Sequence, residues 1–227
     1  MEKPACYIFS GLGADERVFD QIDFGVFTPV FIPWEPLSYR NQTLESYVKQ
    51  LSRHVKTPDP ILIGISFGGI IAQEMSSLFG NCPVLILSSV KMRSELPFSM
   101  RFSGVIGLHK LIPMKRVLGN KSINHWLFGT QTDQERKTLD QILADSDPVF
   151  TKWAIHQVAN WERTEKIPAK VLHIHGEADR IFPIRKVTPD YIIPGGTHFM
   201  TVSEHEEVSK VIQEALRRLH YSLPLRV

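Results

Sequence analysis

The sequence predicts an α/β protein built on a doubly wound, mostly parallel β-sheet. Short apolar runs without polar alternation recur along the chain, and amphipathic stretches separate them. The runs at 61–63 and 84–87 are apolar throughout, which is typical of strands covered by helices on both faces. An alternation of strands and helices implies right-handed crossovers between parallel strands.

Six candidate strands follow one another along the chain. They are Tyr7–Phe9, Val30–Ile32, Ile61–Ile65, Val84–Leu87, Val171–Ile174 and Tyr191–Ile193. Apolar residues at helical spacing predict an amphipathic helix from Leu44 to Val55, with Thr43 as its N-cap. A second stripe predicts a helix from Val208 to Leu219.

Residues 91–166 interrupt this alternation. The segment is rich in helix-forming and bulky apolar residues, and strand character returns only at Val171. We interpret it as a helical lid that lies over one edge of the sheet. The domain division predicted from this is a core of residues 1–90 and 167–227 with residues 91–166 inserted.

Composition limits the classes of function. The 227 residues suit one globular domain, and 43% hydrophobic with 22% charged residues predict a packed core. A formal net charge of +2 is too weak to indicate a nucleic acid or an anionic membrane as partner. We expect a small-molecule partner, and the oligomeric state stays open.

Cysteine usage and hydropathy bear on location. Cys6 and Cys82 lie in or beside apolar runs, which favours two reduced core thiols over a disulfide framework. The first apolar run is too short for a signal-peptide core, and no run approaches the roughly 20 residues that span a bilayer. We therefore expect a cytoplasmic protein.

The sharpest local motif is Gly64–Gly69, which fits G-x-S-x-G. A predicted strand precedes it and a helical stretch, Gly69–Phe79, follows it, as a nucleophile elbow requires. Glycines at positions 64 and 68 would let neighbouring backbone segments pass close together. The pattern therefore predicts Ser66 as a nucleophile. The alternative is an ordinary strand–helix turn with a serine N-cap.

A serine hydroxyl needs a base to take its proton and an acid to orient that base. After an elbow of this kind the expected chain order is serine, acid, histidine. The loop after the fifth strand carries Glu177 and Asp179, and the loop after the sixth carries His198. We predict His198 as the base and Asp179 as the acid, with Glu177 as the alternative acid.

Two other features have more than one interpretation. His173 and His175 are two residues apart on one strand, so their side chains point the same way. A metal site is one interpretation, but no third ligand lies at a useful spacing, and no feature of the sequence demands a metal or other cofactor.

For an oxyanion hole we choose the amides of Leu12 and Phe67. The alternative for the loop at 10–15 is a plain glycine turn.

Together these motifs resemble the α/β-hydrolase superfamily, in particular its esterase-like members with a serine nucleophile. The resemblance covers the chain apart from the insertion. Four motifs carry it, in the order oxyanion loop, elbow, acid loop and histidine loop: Phe9–Gly13, Gly64–Gly69, His175–Asp179 and Gly195–Phe199.

The resemblance implies an eight-stranded parent fold, of which six strands are visible here and the first hairpin is missing. Ser10 stands where family members commonly have histidine, which matters little if the donor is a backbone amide. The spacing from Asp179 to His198 is short, so the helix between the last two strands should be reduced to a turn around Ile184–Val187.

The predicted lid is apolar and basic. Its bulky apolar residues could pack on the sheet or line an acyl pocket; they are Phe98, Met100, Phe102, Leu108, Leu111, Met114, Trp126, Leu127 and Phe128. Between 91 and 126 the only acidic residue is Glu95, and seven are basic: Lys91, Arg93, Arg101, Lys110, Lys115, Arg116 and Lys121. Either these charged side chains lie on a solvated outer face of the lid, or they attract an anionic substrate.

The function predicted first is hydrolysis of a small carboxylic ester through an acyl-serine intermediate. A thioesterase acting on an acyl-CoA or similar anionic thioester would use the same groups. A cofactor-free lyase or carbon–carbon hydrolase is supported by the same fold. A binding protein without turnover is disfavoured, because it would not need all three triad groups.

Overall fold

The computed structural model describes residues 4–107 and 113–221. Within these residues six strands form one sheet in the order β2-β1-β3-β4-β5-β6, and every neighbouring pair is parallel. The strands are β1 Ala5–Phe9, β2 Thr28–Ile32, β3 Ile61–Ile65, β4 Val84–Leu87, β5 Val171–Gly176 and β6 Tyr191–Ile193. This sheet confirms the predicted fold class.

Helices cover both faces of the sheet. Those in the described residues are α1 Leu44–Leu51, α2 Phe67–Ser76, α3 Phe98–Ile106, α4 Met114–Leu118, α5 Lys121–Phe128, α6 Asp133–Asp145, α7 Pro148–Ala159, α8 Met200–Ser203 and α9 His205–His220. Thr43 caps α1 as predicted, because its hydroxyl accepts a hydrogen bond from the amide of Ser46 at 3.2 Å.

Side chains of each strand alternate between two hydrophobic cores. In β3, Leu62 packs with α1, α2 and α7, whereas Ile61 and Ile63 pack with α6 and α9 on the other face. Burial on both faces explains why the strand is apolar at every position and shows no polar alternation.

The connection from β5 to β6 contains a 3₁₀ turn, Ile184–Lys186, in place of a full helix. The acid loop and the histidine loop therefore follow adjacent parallel strands that end at the same edge of the sheet. This edge is also where β3 delivers the elbow, so the three loops converge.

Helices α3 to α7 lie between β4 and β5, in the segment predicted to be a lid. Part of this segment belongs to the cores. Leu139 and Ile142 of α6 join one hydrophobic core, and Phe150 and Trp153 of α7 join the other. The boundaries at 91 and 166 stay a prediction.

In the described ranges, no helix is both long and apolar enough to cross a bilayer. Cys6 and Cys82 are buried and unpaired, as the sequence indicated. Burial raises the pKa of the Cys6 thiol to about 12 and that of Cys82 to about 11, which keeps both thiols protonated and unreactive.

Candidate active site

Ser66 lies in a strained turn between β3 and α2. Its backbone has φ 54° and ψ −119°, a conformation that residues with side chains rarely adopt. The amide of Ser66 donates to the carbonyl of Leu87 at 2.9 Å, and its carbonyl accepts from the hydroxyl of Ser89 at 2.7 Å. Strain held in place by neighbouring strands is common at functional sites.

The glycines on either side of Ser66 are required by close backbone contacts. A Cβ atom at Gly64 would overlap the carbonyl of Gly68, and one at Gly68 would overlap the carbonyl of Phe9. The Gly68 carbonyl belongs to α2 and the Phe9 carbonyl to β1, so neither can move without displacing its element. The sequence pattern of two glycines around a serine therefore has a steric cause here.

His198 follows β6 and contacts Ser66. Its Nε2 lies 3.0 Å from Ser66 Oγ, and its Nδ1 lies 2.8 Å from Asp179 Oδ2. An ionised carboxylate has no proton to give, so Nδ1–H donates to Asp179 and Nε2 accepts from the serine hydroxyl. The rings of Phe128 and Phe182 pack against the buried imidazole at 5.5 and 5.7 Å between centroids.

Asp179 is buried, and both of its carboxylate oxygens accept hydrogen bonds. Its second oxygen, Oδ1, accepts from the amides of Ile181 and Phe182 at 2.8 and 2.9 Å. Burial by itself would raise the pKa of this carboxyl. The imidazoles of His198 and His175 and the amide of Phe182 outweigh that effect and hold the pKa below its usual value. The carboxylate is therefore ionised beside His198 at neutral pH.

Glu177, the alternative acid, points elsewhere. It is exposed, and its carboxylate accepts from the amide of Gly195 at 3.0 Å. A backbone bond from Ala178 N to Gly196 O at 2.8 Å joins the same two loops. In the structure Glu177 thus ties the acid loop to the histidine loop, while Asp179 is the carboxylate that contacts the imidazole.

His173 and His175 contact each other inside β5. His175 Nε2 lies 2.7 Å from the carbonyl of Phe182, so it donates, and its Nδ1 accepts from His173 Nε2 at 3.0 Å. No group of three metal-binding side chains occurs among residues 4–107 and 113–221. Within those ranges, the polar contacts of the two histidines connect β5 to the acid loop through the Phe182 carbonyl.

The loop after β1 passes beside Ser66. A Cβ atom built on Gly11 would lie 3.7 Å from Ser66 Cβ, and Gly13 has the positive φ of 70° that a glycine turn requires. In the described part of the chain, neither the Leu12 amide nor the Phe67 amide donates to a protein acceptor. Both residues line the pocket that contains Ser66.

Trp34 is a neighbour that the sequence did not indicate. Its indole Nε1 donates to the carbonyl of Gly11 at 3.1 Å, and its ring lies 5.6 Å from that of Phe67. Trp34 therefore braces both segments whose amides were chosen for the oxyanion hole. Nothing in the sequence around Trp34, which follows the second strand, predicted this role.

A pocket of about 580 Å³ opens in front of Ser66, and α3, α5, α6 and α7 form much of its wall. Of the apolar residues predicted for the lid, Met100, Leu127 and Phe128 line it. Met114 is buried elsewhere, and Phe98, Phe102 and Trp126 are exposed. Leu108 and Leu111 lie outside the described residues.

The described basic residues between 91 and 126 do not line this pocket. Six of the seven are described, and none of the six lines it; Lys110 lies outside the described residues. Lys91 is bound to the Thr188 carbonyl at 2.9 Å and Asp190 at 3.2 Å, and Lys121 pairs with Asp140 at 2.9 Å. Several of these charges therefore serve structural contacts.

Comparison with known structures supports the fold. A thermophilic esterase from Thermogutta terrifontis is similar over 96% of this chain and 90% of its own, with a TM-score of 0.73 and 15% identity. The N-acyl homoserine lactonase AidH is similar over 99% and 92%, with a TM-score of 0.72 and 13% identity. A bromoperoxidase from Bacillus anthracis is similar over 96% and 92%, with a TM-score of 0.67 and 15% identity.

Comparison at the level of sequence gives the family. No curated protein matches the sequence closely enough to count as a relative. A family model described as the alpha/beta hydrolase family matches residues 7–211, which is most of the chain and includes all five predicted site residues. The chain therefore belongs to the alpha/beta hydrolase family.

Proposed function

We propose that the protein is a serine hydrolase that cleaves a small carboxylic ester through an acyl-serine intermediate. The observation that carries this proposal is the continuous chain of contacts at the pocket floor. Ser66 Oγ lies 3.0 Å from His198 Nε2, and His198 Nδ1 lies 2.8 Å from Asp179 Oδ2. This arrangement of nucleophile, base and orienting acid is the one that acyl transfer needs.

In the first half of the reaction, His198 Nε2 takes the proton of Ser66 while Oγ attacks the ester carbonyl. The carbonyl oxygen becomes an oxyanion that accepts hydrogen bonds from the amides of Leu12 and Phe67. Asp179 stabilises the imidazolium that forms. His198 then gives its proton to the leaving alcohol, and the acyl group stays on Ser66.

In the second half, a water molecule replaces the alcohol beside His198. Nε2 takes a proton from the water as its oxygen attacks the acyl carbonyl, and the same two amides stabilise the second oxyanion. Collapse of this intermediate returns the proton to Ser66 Oγ and releases the carboxylic acid. No group besides the substrate and water is consumed.

Support for an ester substrate comes from the pocket and from the similar structures. The pocket's wall is mostly apolar, which suits an acyl chain, and its volume of about 580 Å³ suits a small molecule. One similar structure is an esterase and another a lactonase, and a lactone is an internal ester. A thioester would follow the same acyl-serine route.

The test is covalent labelling of Ser66. A fluorophosphonate should add once to the wild-type protein, as measured by intact mass, and should abolish ester turnover. Ser66→Ala should lose both the label and the turnover. Ser99→Ala is the matched control, because Ser99 lines the same pocket but contacts neither His198 nor Asp179, so this variant should keep the label. An unlabelled wild type, or a labelled Ser66→Ala, contradicts the proposal.

The substrate class is tested with the same purified protein. We expect short-chain aryl and alkyl esters to be hydrolysed faster than matched thioesters or amides. If a thioester has the highest kcat/KM, the protein is a thioesterase with the same triad. If labelling succeeds but no acyl compound is turned over, the result favours a lyase or a carbon–carbon hydrolase.

A further inference from the structure

The described residues that line the pocket in front of Ser66 include two arginines and no aspartate or glutamate. Among the described residues that line it, Arg180 and Arg185 are the only ones with a permanent charge, and none is Asp or Glu. Apolar side chains such as Leu127, Ile142 and Val158 make up most of the wall.

Both arginines lie on the segment that follows Asp179. The ring of Phe182, between them in sequence, packs 5.7 Å from the His198 ring. The segment therefore lies against the proposed base, and a group bound by these arginines is held in the same pocket as the reacting ester.

Arg180 is fixed by a neighbouring helix. Its Nη1 donates to the carbonyl of Trp126 in α5 at 2.6 Å, and its guanidinium carbon lies 5.1 Å from the centre of the Trp126 ring. A cation over an aromatic face is stabilised by the ring quadrupole. Arg180 thus has protein partners that account for part of its hydrogen-bonding capacity.

Arg185 differs from Arg180 in this respect. Within residues 4–107 and 113–221 its side chain makes no ion pair and no hydrogen bond. It is exposed to solvent at the pocket, so a ligand can reach it. The planar guanidinium presents paired N–H groups that match the two oxygens of a carboxylate.

We propose that the natural ester carries a carboxylate group and that Arg185, assisted by Arg180, binds it. The inference rests on the proposed function, since it names the substrate class of the same site. The apolar wall receives the hydrocarbon part, Ser66 attacks the ester carbonyl, and the free carboxylate pairs with Arg185. The carboxylate takes no part in bond making or breaking; it positions the substrate.

The experiment compares matched esters on wild type and Arg185→Gln. The anionic ester is the para-nitrophenyl monoester of adipic acid, and the neutral one is para-nitrophenyl hexanoate. We expect Arg185→Gln to lower kcat/KM for the anionic ester by about 10- to 100-fold, mainly through KM, as loss of a hydrogen bond to a charged group predicts. The neutral ester should change by less than about twofold.

Lys186→Gln is the matched control. It removes the same charge one residue away, at an exposed position that does not line the pocket. Both esters should keep their wild-type rates in this variant. If Lys186→Gln lowers the anionic rate as much as Arg185→Gln does, the effect is a general loss of surface charge, and the proposed site is wrong.

A second ester pair locates the carboxylate. meta-Butanoyloxybenzoate carries it on the leaving group, and meta-butanoyloxybenzamide is its neutral partner. The pair with the larger loss in Arg185→Gln shows whether the acyl or the alcohol part bears the carboxylate. If neither pair responds differently from its neutral partner, Arg185 does not select anions and the proposal is overturned.

A binding measurement separates this proposal from the proposed function. The monoanilide of adipic acid and hexananilide are titrated into Ser66→Ala by calorimetry, so that no turnover is needed. We expect the anionic anilide to bind at least about tenfold tighter, and Ser66→Ala with Arg185→Gln to lose that preference. Equal affinities would reject the carboxylate site even if esters are cleaved. A clear preference for the anionic anilide would support the carboxylate site even if esters are not cleaved.

Discussion

At the scale of single residues, the two carboxylates of the acid loop differ in what they contact. Asp179 is buried against His198, whereas Glu177 is exposed and accepts from the Gly195 amide. Their separation by one residue makes them a natural pair for comparison. Replacing each by its amide removes the charge and keeps the shape.

Asp179→Asn should lower kcat by up to about 10⁴-fold, as in the well-studied serine protease triad. An amide can hold the imidazole in the wrong tautomer and cannot stabilise imidazolium. Glu177→Gln should reduce kcat by less than about tenfold, because an exposed charge affects the barrier only weakly. Steady-state kinetics on a neutral ester measure both, after thermal melts show that both variants fold.

The opposite order of effects would make Glu177 the acid. In that case the imidazole contact of Asp179 would have to be structural, and the loop would have to rearrange when substrate binds. Equal, severe losses in both variants would indicate instead that the bond from Gly195 to Glu177 is needed to hold the histidine loop in place.

At the scale of elements, β5 contains two buried histidines. Burial, followed by the neighbouring His175 and Lys91, lowers the pKa of His173 well below its ordinary value. Burial also lowers the pKa of His175, although Asp179 and the Phe182 carbonyl act against the shift. Both imidazoles are therefore neutral in the folded protein near pH 7.

This predicts a loss of stability in mild acid. The unfolded histidine pKa is about 6.5 and the folded values lie below it, so between them the unfolded chain binds more protons than the folded one. The stabilisation is fully present above about pH 6.5 and is lost as the pH falls towards the folded values. Each histidine can contribute a slope of up to about 1.4 kcal/mol per pH unit.

Urea denaturation of wild type and His173→Gln between pH 7.5 and 5.5 measures this effect. A glutamine amide can still donate to His175, so the variant should fold, and its free energy of unfolding should depend less steeply on pH. The difference between the two slopes isolates His173 from the carboxyl groups that titrate nearby. Identical slopes would show that His173 takes up no extra proton on unfolding.

At the scale of the whole molecule, the segment between β4 and β5 is joined to the core. Trp153 of α7 donates from its indole Nε1 to the carbonyl of Gln42 at 2.7 Å. Its ring lies 4.7 Å from that of Tyr47 and 6.0 Å from that of Phe67, in α1 and α2. A helix packed in this way should not unfold separately from the sheet.

Trp153→Ala should therefore lower the stability of the entire protein, by about 3–5 kcal/mol as for other buried aromatic residues. Unfolding should remain one transition, with far-UV circular dichroism and tryptophan fluorescence changing together. Two separated transitions, with only the first shifted in the variant, would show that residues 91–166 form an independently stable unit.

Local patterns explain why so much of the fold could be predicted. Strands buried on both faces have to be apolar at successive positions, so β3 and β4 are visible in 61–65 and 84–87 without any knowledge of their partners. The elbow is equally visible in the sequence, because its serine and two glycines lie within five residues, although the contact that requires Gly68 is with Phe9 in the adjacent strand. The exact ends of β1, β2 and β5 were missed, since propensities blur at strand ends.

Long-range contacts explain what could not be predicted. Nothing near Trp34 in sequence indicates that its indole holds the Gly11 carbonyl. The basic residues of 91–126 looked like one charged group in sequence, yet Lys91 and Lys121 bind acidic partners that are distant in the chain or on another helix.

The sequence by itself determined the fold class, the order of the strands along the chain and the elbow motif, because these depend on hydrophobic periodicity and on glycines required by nearby backbone. Only the tertiary structure decided which carboxylate contacts His198 and which cations face the pocket. Glu177 and Asp179 share one loop, yet Glu177 accepts from the Gly195 amide whereas Asp179 contacts His198. Arg185 and Lys186 are neighbours, yet only Arg185 lines the pocket. The direction of each side chain depends on contacts between residues far apart in sequence, which no local pattern records.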